Sequence, residues 1–122
     1  MQETILLVDQ KPTTASLMAT YLRADGFAVD HTPDPSEALK FASQMKYRVV
    51  ITDLVMRGTT GLDLYREIKS YHGEVRFMFL LAVSSEAIRL MGSLDRRDVI
   101  KKEPLSMNEV IGKVRAALTN SR

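Results

Sequence analysis

The chain has 122 residues, of which 45% are hydrophobic and 26% charged, and this composition suits one globular domain with one core. It has no cysteine, so a disulfide framework and a thiolate metal site are excluded, and a net charge of +2 does not by itself indicate nucleic-acid binding. No apolar run approaches the roughly 20 residues that cross a bilayer, and the start of the chain lacks a signal-peptide pattern. We therefore expect a cytoplasmic protein with no membrane partner.

Five short apolar segments are predicted as strands, at residues 4–8, 27–29, 48–54, 75–83 and 98–100. Five segments with apolar residues at helical spacing alternate with them, near residues 13–24, from 35, between 61 and 73, from 84 and from 106. The apolar positions assigned to these helices include Leu17, Tyr21, Met45, Tyr65 and Ile88. Such alternation predicts a single α/β domain over residues 1–122, a doubly wound five-stranded parallel sheet with helices on both faces.

Two of the predicted strands, the first and the third, are followed or ended by an acid, Asp9 and Asp53. One such Asp is often only a turn former or a helix cap, but two at equivalent places indicate a shared site. In open parallel sheets the ligand crevice lies beyond the carboxyl ends of the strands, where neighbouring strands would bring both carboxylates together. Close carboxylates repel each other, and their oxygen atoms suit Mg²⁺; a carboxylate can also accept a phosphoryl group as an acyl phosphate.

Along its whole length the chain resembles the receiver domain of a two-component response regulator. The matching segments are residues 5–9 with Lys11-Pro12, residues 49–56 with Gly58, Thr60 and Gly61, and Pro104-Leu105 with Glu109. The resemblance implies a flavodoxin-like fold with strand order 2-1-3-4-5. It also implies that Asp53 is the phosphoacceptor for a histidine kinase or phosphotransfer protein, and that Asp9, Asp53 and the backbone carbonyl of Val55 hold Mg²⁺.

The chain departs from the family pattern around this site. Where the family has a second acid after the first strand, this chain has Gln10, whose amide offers a carbonyl oxygen without charge, so we expect a weakened Mg²⁺ site. Leu81 stands at the end of the fourth strand, where the family has a Ser or Thr whose hydroxyl contacts the phosphoryl group, and Leu cannot make that hydrogen bond. Ser84 or Ser85 would substitute only if the loop is shifted.

The family's phosphate-neutralising Lys precedes the proline after the fifth strand. An alignment without a gap puts Glu103 there, where an acid would oppose acyl phosphate formation, whereas one inserted residue gives the place to Lys102. Both alternatives remain open at this point. The family's switch aromatic is replaced by Val99 or Ile100, so the usual coupled movement of hydroxyl and ring has no obvious carrier.

These residues favour a signalling receiver with Asp53 as candidate phosphoacceptor, and the alternative is a degenerate pseudo-receiver that binds partners without phosphorylation. An enzyme is not expected, because Val55 stands where a phosphatase would have its second acid and there is no Gly-rich phosphate loop. The resemblance implies a downstream protein partner on the face formed by the fourth helix, fifth strand and fifth helix. It implies contact with nucleic acid only through an output domain outside these residues.

Overall fold

A computed structural model describes residues 2–119 of the chain. Its strands are β1 (Thr4–Val8), β2 (Ala28–Thr32), β3 (Val49–Asp53), β4 (Val55–Met56), β5 (Thr59–Thr60), β6 (Arg76–Leu81) and β7 (Val99–Lys101). Its helices are α1 (Pro12–Ala24), α2 (Pro35–Gln44), α3 (Gly61–Tyr71), α4 (Ser85–Met91) and α5 (Met107–Thr119), with a 3-10 turn at Arg96–Asp98.

Five of the strands form one parallel sheet in the order β2-β1-β3-β6-β7, while β4 and β5 form a small antiparallel hairpin. Counted within the main sheet alone, this order is 2-1-3-4-5, so the predicted flavodoxin-like fold is confirmed. The central strand β3 is buried along its whole length, and its first three residues are accordingly all apolar, without alternation.

The helices bury the two faces of the sheet in two separate apolar layers. Odd and even strand positions alternate between these layers, as the pleat requires: Leu6 and Val8 belong to one layer, Ile5 and Leu7 to the other. The first layer is completed by residues of α2, α3 and α4, namely Ala38, Ala42, Leu64, Ile68 and Ala87. The second is completed by residues of α1 and α5, namely Met18, Ala19, Leu22, Val110, Val114 and Ala117.

The element boundaries differ from the prediction where tertiary contacts outweigh the local pattern. Strand β2 extends to Thr32, through residues predicted as a loop, because residues 28–32 pair with the whole of β1. Strand β6 ends at Leu81, and Val83 beyond it is 78% exposed. Helix α4 is short, and its Ile88 is 61% exposed although it was assigned to an apolar face.

Four other apolar side chains that were assigned to helix faces are 37–49% exposed, namely Leu17, Tyr21, Met45 and Tyr65. The hairpin of β4 and β5 was not predicted, because two-residue strands are too short to show a pattern.

Candidate functional site

The carboxyl ends of three strands meet at one edge of the sheet and bring three charged side chains together. Asp9 directly follows β1, Asp53 is the last residue of β3, and Lys102 directly follows β7. The backbone N–H of Lys102 donates to the carbonyl of Leu81 at 2.9 Å, which continues the ladder between β6 and β7 by one residue. This bond sets the position from which the side chain of Lys102 reaches the two acids.

The ammonium of Lys102 bridges both carboxylates. Its Nζ atom lies 2.6 Å from Oδ1 of Asp9 and 2.7 Å from Oδ1 of Asp53. All three residues are buried: Asp9 is fully enclosed, Asp53 is 5% exposed and Lys102 is 7% exposed. Asp9 and Asp53 therefore lie together, and of the two residues considered for the family's lysine position, Lys102 contacts both acids whereas Glu103 does not.

Glu103 lies at the surface beside the pocket, and its carboxylate faces Lys11 at 3.6 Å. Both side chains of this ion pair are more than half exposed, so solvent screens the pair. The acid that an ungapped alignment placed against the phosphoryl group is thus directed away from Asp53 and towards a neighbouring cation.

Further donors to the two carboxylates come from the loop after β1 and from the first turn of α1. The N–H of Lys11 donates to Oδ1 of Asp9 at 3.0 Å, and the hydroxyl of Thr14 donates to Oδ2 at 2.5 Å. The N–H of Gln10 donates to Oδ2 of Asp53 at 2.9 Å. Each of the four oxygens therefore has a protein donor, which satisfies the hydrogen-bonding requirement of buried acids.

These surroundings move the pKa of two groups. Burial raises the pKa of Asp53 above its usual value, and the negative charge of Asp9 adds to the rise; the N–H of Gln10 and the ammonium of Lys102 act against it without cancelling it. Burial alone would lower the pKa of Lys102, but its bonds to Asp53 and Asp9 outweigh burial and the pKa is raised. Lys102 is therefore a fixed positive charge at neutral pH.

Asp53 and Lys102 line a cavity of about 380 Å³, whereas Asp9 lies enclosed behind them. Among its lining residues are Asp53, Lys102, Gln10, Lys11 and Val55. Val55 lies in β4, and its backbone is the expected third ligand of a metal ion.

The side chain of Gln10 is turned across the loops. Its carbonyl oxygen accepts from the N–H of Arg57 at 3.0 Å, and its NH₂ group donates to the carbonyl of Pro33 at 3.3 Å. The bond from Arg57 occupies one of the two lone pairs of this oxygen.

The donor set fits a divalent cation, but only weakly. Two carboxylates with a single ammonium leave an excess of one negative charge beside an open cavity, and Mg²⁺ is commonly bound through one or two carboxylates with water and phosphate oxygens. Within residues 2–119, however, no cluster of three or more His, Cys, Asp or Glu residues has the arrangement of a metal site.

The loop after Asp53 is fixed by a close approach of backbone to backbone. At Gly61 a Cβ atom would lie 2.5 Å from the carbonyl oxygen of Asp53, so only glycine fits there. The N–H of Gly61 donates to the carbonyl of Leu54 at 2.7 Å. Helix α3 then begins with a reciprocal capping box between Thr60 and Asp63.

The family's hydroxyl and aromatic positions are apolar in this structure. Leu81 is buried in the first apolar layer, and Val99 packs against the same layer. Ser84 caps α4 by accepting from the N–H of Ala87 at 3.1 Å, so its hydroxyl already has a structural role. Sequence reasoning missed Thr14, although a hydroxyl one turn into the helix after Asp9 was a usable signal.

Comparison with known families gives a match to the response regulator receiver domain over residues 5–115. The chain is 31% identical over 114 residues to the transcriptional regulatory protein ResD of Bacillus subtilis, covering 93% of the chain and 47% of that protein. It is 29% identical to the DNA-binding response regulator MtrA of Mycolicibacterium smegmatis, covering 97% of the chain and 51% of that protein. The chain thus spans about half the length of these curated relatives.

Solved structures share the fold at lower identity. A CheY-like response regulator receiver domain protein from Methanospirillum hungatei superposes with a TM-score of 0.85 at 16% identity, covering 98% of the chain and 95% of that structure. Chemotaxis protein CheY4 of Vibrio cholerae gives a TM-score of 0.81 at 18% identity, covering 96% of the chain and 99% of that structure. Within residues 2–119, no helix is both long enough and apolar enough to cross a membrane.

Proposed function

The chain belongs to the response regulator receiver domain family, and we propose that it acts as a signalling receiver whose phosphoacceptor is Asp53. Receiver domains are signalling modules and not classical enzymes, and response regulators are phosphorylated by histidine kinases and act on downstream partners. The donor we propose is the phosphohistidine of a histidine kinase or of a phosphotransfer protein.

The observation that carries this proposal is the position of the Asp53 carboxylate between two fixed donors at the opening of a cavity. Lys102 donates to one oxygen at 2.7 Å and the N–H of Gln10 to the other at 2.9 Å. Both donors favour the ionised form, which is the form that attacks phosphorus, against the burial that raises its pKa. A cation already in place also meets the negative oxygens of an incoming phosphoryl group.

In the proposed transfer an oxygen of Asp53 forms a bond to phosphorus while the bond from phosphorus to the imidazole nitrogen of the donor breaks. The imidazole nitrogen keeps the electron pair of the broken bond and takes a proton from solvent. The product is an acyl phosphate on Asp53, with the ammonium of Lys102 close to its added negative charge.

Asp9, Asp53 and the backbone carbonyl of Val55 would hold Mg²⁺, which when bound neutralises charge on the transferring phosphoryl group. The chain supplies two of the usual three acids, because Gln10 is neutral. We therefore propose weak Mg²⁺ binding and slow phosphorylation by small acyl phosphate donors.

The second candidate is a pseudo-receiver that binds its partner without phosphorylation. Three apolar or neutral side chains favour it: Leu81, which is buried in the core, Val99, which packs against the core, and Gln10, which is bonded to loop backbones. In either case we propose that the downstream partner contacts the face of α4, β7 and α5, where Ile88 is 61% exposed.

Intact-mass measurement separates the two candidates. The chain is incubated with Mg²⁺ and either acetyl phosphate or a phosphorylated phosphotransfer domain. We expect one phosphoryl group to be added, slowly and partially with acetyl phosphate and further with the phosphohistidine donor. The Asp53→Asn variant should gain no phosphoryl group. The control is Glu74→Gln, which changes an exposed acid and should be phosphorylated to the same extent as the wild-type sequence.

If neither donor adds a phosphoryl group at saturating Mg²⁺, the proposed phosphoacceptor role is wrong and the pseudo-receiver is the function. Undiminished addition to Asp53→Asn would place the phosphoacceptor elsewhere. Rapid and complete addition from acetyl phosphate would contradict the proposed weakness of the cation site while keeping Asp53 as the acceptor.

A further inference from the structure

The side chain of Gln10 connects the loops on both sides of the acidic pocket. Its carbonyl oxygen accepts from the N–H of Arg57, in the turn of the β4–β5 hairpin, at 3.0 Å. Its NH₂ group donates to the carbonyl of Pro33, in the loop between β2 and α2, at 3.3 Å. The backbone N–H of the same residue donates to Asp53 at 2.9 Å. Three loops at the carboxyl edge of the sheet are thus joined through one residue.

This pattern of bonds is specific to a long side-chain amide. An amide offers one donor group and one acceptor group, whereas a carboxylate only accepts. Glutamate could accept from Arg57 but could not donate to Pro33, and aspartate is one methylene shorter. The residue that replaces the family's acid is therefore one that can bond both loops at once.

We propose that Gln10 is a positioning residue that ties the loop after Asp53 to the loop after Asp9 and so holds the Asp53 carboxylate in place without a divalent cation. This inference rests on the proposed role of Asp53 as phosphoacceptor. A cation bound by Asp9, Asp53 and Val55 would join the same two loops, and in this structure Gln10 joins them without one. The side-chain carbonyl of Gln10, the group that would be a metal ligand, accepts this bond with one of its two lone pairs.

The first test measures the bond directly, by amide hydrogen exchange and NMR on the 122-residue chain. Gln10→Met keeps the length of the side chain and removes both of its hydrogen bonds. We expect the exchange of the Arg57 N–H to accelerate about tenfold, the scale of one lost hydrogen bond, and the carboxyl carbon signal of Asp53 to move. Gln10→Glu retains the acceptor and should keep the Arg57 N–H protected.

Two controls distinguish a local effect from general loosening. Gln44→Met makes the same substitution at an exposed site at the end of α2 and should change neither signal. The N–H of Phe79, in the core strand β6, should exchange equally slowly in every variant. If the Arg57 N–H exchanges at the same rate in Gln10→Met as in the unmodified chain, Gln10 does not tie the loops and the proposal is wrong.

The second test uses Mg²⁺ alone, in an NMR titration. Gln10→Asp removes the bonds of the amide and adds a third carboxylate, so we expect Mg²⁺ to bind at least about tenfold more tightly, as a gain of about 1.4 kcal/mol gives. Equal Mg²⁺ affinity in Gln10→Asp and the unmodified chain would contradict the proposal that the amide takes the place of a metal ligand.

The third test compares the phosphorylation rates of the wild-type chain and of Gln10→Met with and without Mg²⁺. Gln10→Met should slow phosphoryl transfer most when Mg²⁺ is absent and least when it is saturating, since a bound cation would restore the lost tie. A slowing that is equal at all Mg²⁺ concentrations would contradict the positioning role. If Asp53 accepts no phosphoryl group at all, the proposed function fails, while the exchange and titration results still decide whether Gln10 ties the loops.

Discussion

Lys102 Nζ lies 2.7 Å from Oδ1 of Asp53, a residue 49 positions earlier in the chain, in a place where neither side chain is more than 8% exposed. The same ammonium lies 2.6 Å from Asp9. A buried cation between two acids is needed for the charge balance of the folded state, because a buried charge without a partner is strongly unfavourable.

Lys102→Met should therefore lower the free energy of unfolding at pH 7 by about 3 kcal/mol, since it leaves two buried carboxylates without their cation. The loss should shrink in acid, where Asp53, whose pKa is raised by burial, takes up a proton. Denaturant unfolding at pH 7 and in acid measures the two losses of stability. The control is Lys101→Met, at an exposed neighbouring position, which should change stability by less than about 0.5 kcal/mol. Equal losses in the two variants would contradict the role assigned to Lys102.

The raised pKa of Asp53 predicts that its charge destabilises the folded chain. An acid with a folded pKa above its unfolded value of 3.8 favours folding fully below pH 3.8, and that advantage is lost as the pH rises through the folded pKa. Asp53→Asn should therefore stabilise the protein at pH 7, by about 0.5–2 kcal/mol, and by much less at pH 3.5. Thermal melts of both forms at the two pH values test this. A variant that melts at a lower temperature than the unmodified chain at pH 7 would show that Lys102 and Gln10 outweigh burial.

The contact between Gly61 and the backbone of Asp53 predicts a strict requirement for glycine. A methyl group at Gly61 would meet the Asp53 carbonyl at 2.5 Å and the side chains of Phe79 and Thr52 at 3.1 Å. Gly61→Ala should lower the free energy of unfolding by about 1–3 kcal/mol and displace the Asp53 loop, visible as shifts of its NMR signals.

Gly112 offers the matched control, because it lies inside α5 and its added methyl group would meet nothing within 4 Å beyond its own helix backbone. Gly112→Ala should leave stability unchanged or raise it by up to about 1 kcal/mol, as a better helix former. Similar destabilisation by both substitutions would mean that the close approach at Gly61 does not matter.

The hydrogen bond from the hydroxyl of Thr14 to Asp9 is expected to contribute to the stability of the fold. It donates to Oδ2 of the fully buried Asp9, and Thr14→Val keeps the shape but removes the donor. An unsatisfied buried acceptor costs about 1–3 kcal/mol, which unfolding in urea would detect. Thr13→Val, at the exposed position just before it, should have little effect; a loss as large as that of Thr14→Val would point to helix propensity as the cause.

The fold was predictable because its strands are long enough to show a pattern. The apolar segments ending at Val8 and Asp53 indicated central parallel strands, and the carboxyl ends of neighbouring parallel strands lie at one edge, so Asp9 and Asp53 were expected to meet. The choice between Lys102 and Glu103 could not be made in this way, because β7 has only three residues and no alternation that would assign a face.

The position of Gln10 could not be predicted for a different reason. Its bonding partners are backbone groups of Pro33 and Arg57, which carry no signature in the sequence and come near it only in the folded chain. The residue type indicated a weaker metal ligand, whereas only the folded structure shows that the same amide bonds the backbones of two other loops.

The bridge from Lys102 to Asp9 and Asp53 has a consequence for how the protein is synthesised. The acids belong to the first half of the chain and their cation follows the last strand of the sheet, so a growing polypeptide on the ribosome carries both acids long before it carries the lysine. A nascent chain that stops short of Lys102 has two carboxylates with no ammonium to neutralise them. The pocket can therefore reach its final charge balance only after the segment containing Lys102 has emerged.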